Sequence, residues 1–218
     1  AKLLNPKIKV IAVEPAGAAC LKASLEAGEV TTVSKINTIA DGTAVQTPGD
    51  KLFPYLQANV DHVITVDDSE LTLSFLDMAE NHKMIVENSG LLTVAALKHL
   101  DFKGKKVVSV LSGGNMDVLT MATVVQNGLM QRDRIFTVSV MLPDKPGQLA
   151  AVSSLIAKEQ GNVIKLEHNV FANVNRTAGV ELTITLESFG TEHKDQIIKA
   201  LEAAGYCPVI TKTNGIYM

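Results

Sequence analysis

The feature that most constrains the fold is a change of pattern at the charged segment 131–134 (QRDR). Before this segment, apolar runs of strand length alternate with stretches whose apolar residues recur at helical spacing. Strands that alternate with helices and are apolar on both faces predict a mainly parallel sheet covered on both sides. The predicted strands are 8–13, 62–66 and 106–111, and the predicted helices are 16–27, 71–81, 90–100 and 117–130.

After this segment the pattern predicts a second, smaller unit. Its predicted strands are 135–142, 162–171, 179–187 and 206–210, its helices are 148–160 and 192–204, and a polar hairpin connection is predicted at 173–177. The order β-α-β-β-α-β in roughly 75 residues is typical of a ferredoxin-like split βαβ sandwich. We therefore predict an α/β chain of two domains, 1–131 and 132–218.

Composition excludes several classes of function. The net charge is −3 and the isoelectric point is near 6.0, so no basic field favours nucleic acid. No apolar stretch approaches the ~20 residues that cross a membrane. The two cysteines, Cys20 and Cys207, lie far apart in unrelated contexts, so a disulfide framework is not expected and the cytoplasm is the predicted location.

One strand prediction ends in a polar, glycine-rich turn. In KVVSVLSGGNMD, an apolar run meets Ser112, Gly113, Gly114 and Asn115. Two interpretations stay open from these residues alone: a tight strand-to-helix turn, or a hydroxyl that meets a ligand at the carboxyl end of a sheet. A phosphate turn of a nucleotide-binding domain is disfavoured, because the G-x-G-x-x-G spacing is absent.

The second domain contains the turn DKPGQL between its first strand and first helix. Proline fixes φ, and glycine removes the side chain where a backbone turns sharply or approaches a ligand. A plain turn and a ligand-binding turn are equally compatible with this spacing.

Residues 135–210 resemble an ACT domain, a regulatory module that binds amino acids, in the DKPGQL turn, the following LAAVSSLIAKEQGNVI and the element order. The resemblance implies a homo-oligomer with paired sheets. It also implies an amino-acid effector between the loop–helix junction of one module and the second strand of a neighbour. The N–H groups of a helix N-terminus suit the effector's carboxylate. The implied residues are Asp144, Gly147, Leu149 and Asn162.

The chain as a whole resembles the carboxyl-terminal part of ACT-containing threonine ammonia-lyases, which are pyridoxal-phosphate enzymes of fold type II. The stretches that carry the resemblance are VIAVEPAGAACLKASLEAG, NTIADGTAV, ENSGLLTVAAL and VSVLSGGNMDV. The implied reaction is elimination from threonine or serine to a 2-oxo acid and ammonia; threonine gives 2-oxobutanoate.

The resemblance also implies a cofactor site. The Ser112 hydroxyl is expected to meet the pyridine nitrogen of pyridoxal phosphate, and Gly113 and Gly114 to admit the ring. Gly42 is expected to lie beside the ring, and Glu87 near its pyridine end. This sequence has Asn88 where the family more usually has proline.

A cation site is implied by serine racemase-like relatives. Glu14 and the carbonyl of Ala18 match its ligands, but Cys20 stands at the position of an aspartate. A hard Mg²⁺ or Ca²⁺ prefers oxygen ligands, so a divalent ion is disfavoured. A monovalent cation held by carbonyls stays open.

Two elements that the family needs do not occur in this sequence: a Schiff-base lysine in its usual context and a glycine-rich phosphate loop. Without an amine at the site, the covalent chemistry cannot proceed. We therefore predict a carboxyl-terminal piece that is inactive alone and acts with a complementing amino-terminal fragment. The alternative is a non-catalytic protein that senses an amino acid through its ACT domain.

Overall fold

A computed structural model of the chain describes residues 1–169 and 179–213. The chain divides into two compact units, Ala1–Val125 and Gln126–Met218. The hairpin connection predicted at 173–177 lies outside the described residues. Among the helices that the structure describes, none is long and apolar enough to span a bilayer.

The first unit contains a parallel pair of strands, β1 (Ile11–Pro15) and β2 (His62–Val66). Ile11 lies opposite His62, and Pro15 opposite Val66. The helix after β1, α1 (Cys20–Ala27), ends where Gly28 adopts φ of 77°. Glycine takes this left-handed conformation without a Cβ clash, and it often ends helices for that reason.

The helix after β2, α3 (Asp68–Asp77), begins three residues before the predicted start, at an acidic stretch that contains Asp67, Asp68 and Glu70. Asp67 and Glu70 form a capping box, in which the Asp67 N–H donates to Glu70 Oε2 at 2.9 Å. Leu71 and Phe75 on α3 pack with Val66 in the core of this unit. This unit also contains α2 (Phe53–Asn59) and α4 (Leu92–Ala95), and 3₁₀ turns flank α4 at Asn88–Leu91 and Ala96–His99. The boundary between the two units falls within α5 (Val118–Gln131).

The strand predicted at 106–111 is not formed. These residues pair with no strand in the part of the chain that the structure describes. Val108 is 87% exposed and Val110 is 66% exposed. A strand needs a neighbour to accept and donate its backbone hydrogen bonds, and β1 and β2 pair only with each other.

The second unit contains four strands and two helices, which follow one another as β3 (Ile135–Leu142), α6 (Gln148–Lys158), β4 (Asn162–Asn169), β5 (Val180–Glu187), α7 (Thr191–Ala203) and β6 (Val209–Thr211). This order along the chain confirms the predicted β-α-β-β-α-β sandwich. The strands form an antiparallel sheet in the order β4-β5-β3-β6. The side chains of Val138 and Val140 on β3 and Ile184 on β5 form the core with Ile156 and Ile197 on the helices.

Candidate functional site

The turn Ser112 to Asn115 leads from the unpaired segment into α5. Gly113 has φ of 78°, a left-handed conformation that favours glycine. Asp117 accepts hydrogen bonds from the N–H groups of Leu119 and Thr120, both at 3.1 Å, and so caps α5. The side chain of Ser112 is exposed, so its hydroxyl can meet a ligand.

Glu87, from the ENSG stretch, contacts this turn with both its backbone and its side chain. The Asn115 N–H donates to Glu87 Oε2 at 3.1 Å, and the Glu87 N–H donates to the Gly113 carbonyl at 3.4 Å. A Cβ atom added at Gly113 would lie 2.0 Å from Glu87 Oε1. The carboxylate therefore occupies the space that a side chain at position 113 would need.

Gly90, in the same ENSG stretch, contacts the SGGN turn in its own right, since it faces the carbonyl oxygen of Ser112. A Cβ atom added there would lie 1.7 Å from the Ser112 carbonyl oxygen. The two turns therefore approach each other at backbone distance. Gly90 is not among the site residues that the family resemblance implies, and its only signal in the sequence is its place in the ENSG stretch.

Gly42 brings a third segment to the same place. It lies in a 3₁₀ turn, Asp41–Thr43. A Cβ atom added at Gly42 would lie 2.9 Å from Ser89 Oγ and 3.6 Å from Glu87 Oε1. Three residues that the family resemblance implies from separate stretches, Gly42, Glu87 and Gly113, therefore lie together. A Cβ atom added at Gly114 would meet nothing within 4 Å, so the backbone there is open.

Two polar atoms beside this cluster have no hydrogen-bond partner in the described residues: Asn88 Oδ1 and Ser89 Oγ. Asn88 is 4% exposed, and its Nδ2 donates to the Ile39 carbonyl at 3.0 Å. Buried polar atoms are nearly always paired, so unpaired ones mark a place where a ligand or an unassigned group completes the structure. The asparagine amide makes a bond to residue 39 that proline could not make.

Glu14, the proposed cation ligand, caps α1. Its Oε1 accepts from the Leu21 N–H at 2.7 Å, and its Oε2 accepts from the Lys22 N–H at 2.8 Å. Burial, together with the nearby Glu14 carboxylate, raises the pKa of the Cys20 thiol. Within the described residues, no group of three or more His, Cys, Asp or Glu side chains could hold a metal ion. A cation at Glu14 and Ala18 stays a prediction.

The predicted effector residues fall into two places. Asp144 is exposed, Gly147 has φ of 90° at the N-cap of α6, and Leu149 is 38% exposed. Asn162 begins β4, and its Nδ2 donates to Glu187 Oε2 at 3.1 Å. Fourteen residues lie between Gly147 and Asn162, namely the 11 of α6 and residues 159–161. Gly147 therefore precedes α6 and Asn162 follows it, and the helix alone is about 16 Å long at a rise of about 1.5 Å per residue.

Comparisons with known proteins match a different family to each of the two compact units. The sequence profile of the family described as "Pyridoxal-phosphate dependent enzyme" matches residues 1–113, and that of the ACT domain matches residues 136–205. An L-threonine ammonia-lyase of Geobacter sulfurreducens is 36% identical over 211 residues, which cover 95% of this chain and 52% of that protein. The chain thus spans about half the length of the curated relatives it matches.

Two solved structures are also similar. The processed form of threonine deaminase isoform 2 from Solanum lycopersicum matches with a TM-score of 0.55 and 31% identity, over 58% of this chain and 38% of that one. Serine racemase from maize matches with a TM-score of 0.51 and 35% identity, over 57% of this chain and 41% of the racemase. Because the family profile covers 113 of the 218 residues, the chain belongs to the pyridoxal-phosphate dependent enzymes.

Proposed function

We propose that the protein is a pyridoxal-phosphate dependent ammonia-lyase that converts L-threonine to 2-oxobutanoate and ammonia, with L-serine as a second substrate. The relative named L-threonine ammonia-lyase, which aligns with nearly the whole chain, supports this reaction. In this proposal the described chain supplies the pyridine end of the cofactor site and a regulatory ACT domain, and the protein acts in the cytoplasm.

The observation that carries the proposal is the convergence of Ser112, Gly113 and Gly42 at one exposed place. The open backbone at Gly114 leaves room for a flat ring, whereas Glu87 and Ser89 fill the space beside Gly113 and Gly42. The exposed Ser112 hydroxyl can hydrogen-bond the nitrogen of that ring. The unpaired Ser89 Oγ lies against Gly42 and marks the same place. These residues fit pyridoxal phosphate.

When bound, pyridoxal phosphate withdraws electrons from the Cα atom of an attached amino acid. In this proposal, the contact with Ser112 sets how strongly the cofactor withdraws electrons from that Cα atom. A hydroxyl carries no charge, so it gives the pyridine nitrogen little reason to stay protonated, whereas a carboxylate would favour the protonated form. We expect the resulting weaker electron withdrawal to favour loss of the β-hydroxyl group from threonine over the other reactions of the cofactor.

We propose that the amino-terminal half present in the relatives supplies the lysine and the phosphate loop, and that it packs against the segment 107–111. The exposure of Val108 and Val110 supports this packing, since large apolar side chains are normally buried. We expect no threonine deamination by the 218-residue chain alone. We expect activity when it is joined to, or expressed with, the amino-terminal half of the Geobacter sulfurreducens relative.

The joined enzyme also tests Ser112. We expect Ser112→Ala to shift the absorbance band of the bound cofactor and to lower the turnover of threonine about ten-fold or more, since a positioned polar contact to the reacting system is lost. The matched control is Ser34→Ala, because Ser34 is an exposed serine far from this turn in sequence. An unchanged spectrum and unchanged turnover in Ser112→Ala would remove Ser112 from the site.

We propose that the ACT domain binds an amino-acid effector between two chains of a homo-oligomer. The separation of Gly147 from Asn162 along α6 supports a site that two copies complete. Calorimetry with isoleucine, valine and threonine tests binding. Binding together with an absence of turnover in the joined enzyme would favour a non-catalytic amino-acid sensor instead.

A further inference from the structure

Two turns interlock at the candidate cofactor site, and each has a glycine where the other presents a polar group. The Ser112 carbonyl lies against Gly90, and the Glu87 carboxylate lies against Gly113. Each contact needs a residue without a side chain, because a Cβ atom at either glycine would lie 2.0 Å or less from an oxygen of the other turn. The 3₁₀ turn that contains Gly90 therefore contacts the carbonyl of Ser112, and Glu87 contacts Gly113, the next residue.

We propose that Glu87 is a positioning residue that sets the direction of the Ser112 hydroxyl by holding the turn that follows it. The inference rests on the proposed function for the identity of the ligand at Ser112. Its structural part depends only on contacts within this chain. Glu87 is thereby assigned a role different from the direct cofactor contact that the family resemblance implies.

The two carboxylate oxygens of Glu87 have different neighbours. Oε2 accepts the Asn115 N–H at 3.1 Å, a bond to a charged acceptor, which is stronger than a bond between neutral groups. Oε1 lies over the α-carbon of Gly113. The Glu87 N–H also donates to the Gly113 carbonyl at 3.4 Å, so one residue holds both ends of the Gly113–Asn115 segment.

This support matters because Gly113 is in the left-handed conformation, φ 78°. Glycine pays a high conformational entropy cost when it is fixed, so a Gly-Gly turn needs external contacts to stay in one shape. The Ser112 side chain is exposed. Contacts of its neighbours therefore fix the backbone from which the hydroxyl extends.

The structural test uses the 218-residue chain labelled for NMR, with Glu87→Ala, Glu87→Gln and the control Glu29→Ala, whose side chain is exposed. We expect the Asn115 amide to exchange with solvent about ten-fold faster or more in Glu87→Ala, because its charged acceptor is gone. In Glu87→Gln we expect most of the protection to remain, with shifted Gly113 and Asn115 signals, because the amide oxygen still accepts. Equal exchange in Glu87→Ala and Glu29→Ala would overturn the inference.

If Glu87→Ala does not fold, the NMR spectrum of Glu87→Gln tests the inference by itself. Unchanged Gly113 and Asn115 signals in that variant would overturn it. In the joined enzyme, Glu87→Ala is expected to reproduce the cofactor absorbance shift of Ser112→Ala, and Glu87→Gln to restore most of the original spectrum. A joined enzyme that never deaminates threonine would refute the proposed function, while the exchange result would still report on the turn.

Discussion

At the scale of single residues, the two adjacent glycines of the SGGN turn have different requirements. Gly113 has φ 78° and faces the Glu87 carboxylate, whereas a Cβ atom at Gly114 would meet nothing within 4 Å. We expect Gly113→Ala to lower the free energy of unfolding by about 1–2 kcal/mol from its left-handed backbone alone. Displacement of Glu87 adds to this loss. Gly114→Ala, the matched control, is expected to change it much less. Urea unfolding of both variants measures the difference, and equal losses would contradict the prediction.

A second residue-scale prediction concerns Cys20, beside Glu14. Wild-type protein is expected to show no change in unfolding temperature with Mg²⁺, because a thiol is a poor ligand for a hard cation and both Glu14 oxygens already accept N–H groups. Cys20→Asp adds a carboxylate at the position where the resemblance to serine racemase-like proteins implies one. We expect this variant to be less stable without Mg²⁺, since two carboxylates then repel each other.

Millimolar Mg²⁺ should raise the unfolding temperature of Cys20→Asp by a few degrees, because the ion binds only the folded state. Cys20→Ser, which has a hydroxyl in place of the thiol, serves as the control and should not respond. Stabilisation of the wild-type chain by Mg²⁺ would show that the thiol does not block a cation site. Calorimetric scans with and without a chelator measure all three proteins.

Residues of the site that belong to recognisable stretches could be predicted from the sequence, and residues defined by contact could not. Gly42, Glu87 and Gly113 lie in stretches that resemble a known family, and the structure brings them together. The backbone approach of Gly90 to Ser112 and the bond from Asn88 to Ile39 depend on tertiary contacts. No local pattern encodes such contacts.

At the scale of secondary-structure elements, Asp133 links the segment before β3 to the start of α7. Its carboxylate accepts from Thr191 Oγ1 and Lys194 Nζ, both at 2.8 Å, and its φ is 53°. Burial opposes ionisation, but the bonds from Lys194 and Thr191 outweigh it and hold the pKa of Asp133 below its ordinary value. The ionised carboxylate is therefore the form that stabilises the fold.

We expect Asp133→Asn to lower the free energy of unfolding by about 1–2 kcal/mol at neutral pH, since bonds to a charged acceptor are replaced by neutral ones while asparagine still tolerates the left-handed backbone. Because the pKa is lower in the folded state, the stabilisation is present above the unfolded value, about 3.9, and is lost as the pH falls through the folded one. The difference between variant and wild type should therefore shrink in acid.

Denaturant unfolding of the 218-residue chain across this pH range measures the effect. Asp195→Asn on α7 is the control, because Asp195 is an exposed aspartate of the same helix. A difference between Asp133→Asn and wild type that stays constant from neutral to acid pH would show that the charge of Asp133 does not stabilise the fold.

Elements with a clear local pattern that also find a partner strand or a capping residue were predicted well. The strands β2 and β3 have the predicted bounds, and the capping box starts α3 three residues before the helix predicted at 71–81. The segment 106–111 has an equally clear strand pattern, yet it pairs with no described strand. A strand pattern indicates that residues favour an extended backbone. Whether they form a strand depends on a neighbouring strand to hydrogen-bond with, which the local pattern does not reveal.

At the scale of the whole molecule, the proposed function gives each half of the chain residues of an incomplete site. Ser112 and its neighbours lie on an exposed turn, and Gly147 and Asn162 lie beyond opposite ends of α6. We propose that a further polypeptide completes each site. For the ACT domain we propose a second copy of the same chain, in which one copy presents its loop and the other its β4.

This sharing can be tested by mixing two defective proteins. We expect Leu149→Glu to abolish effector binding by placing a negative charge where the effector's carboxylate lies, and Asn162→Ala to weaken it by removing a polar contact. Both positions are exposed, so both variants should fold. In a two-fold symmetric dimer with shared sites, a mixed dimer carries both changes in one site and neither in the other.

Random exchange of subunits should therefore restore about a quarter of the binding sites of wild type with full affinity, since half of the dimers are mixed and each has one intact site. Calorimetry on the equimolar mixture, after subunits have exchanged, measures the number of sites with the amino acid that binds wild type. The control is each variant alone at the same total concentration. No recovery in the mixture would mean that Leu149 and Asn162 of one chain serve the same site, and that the neighbour is not needed.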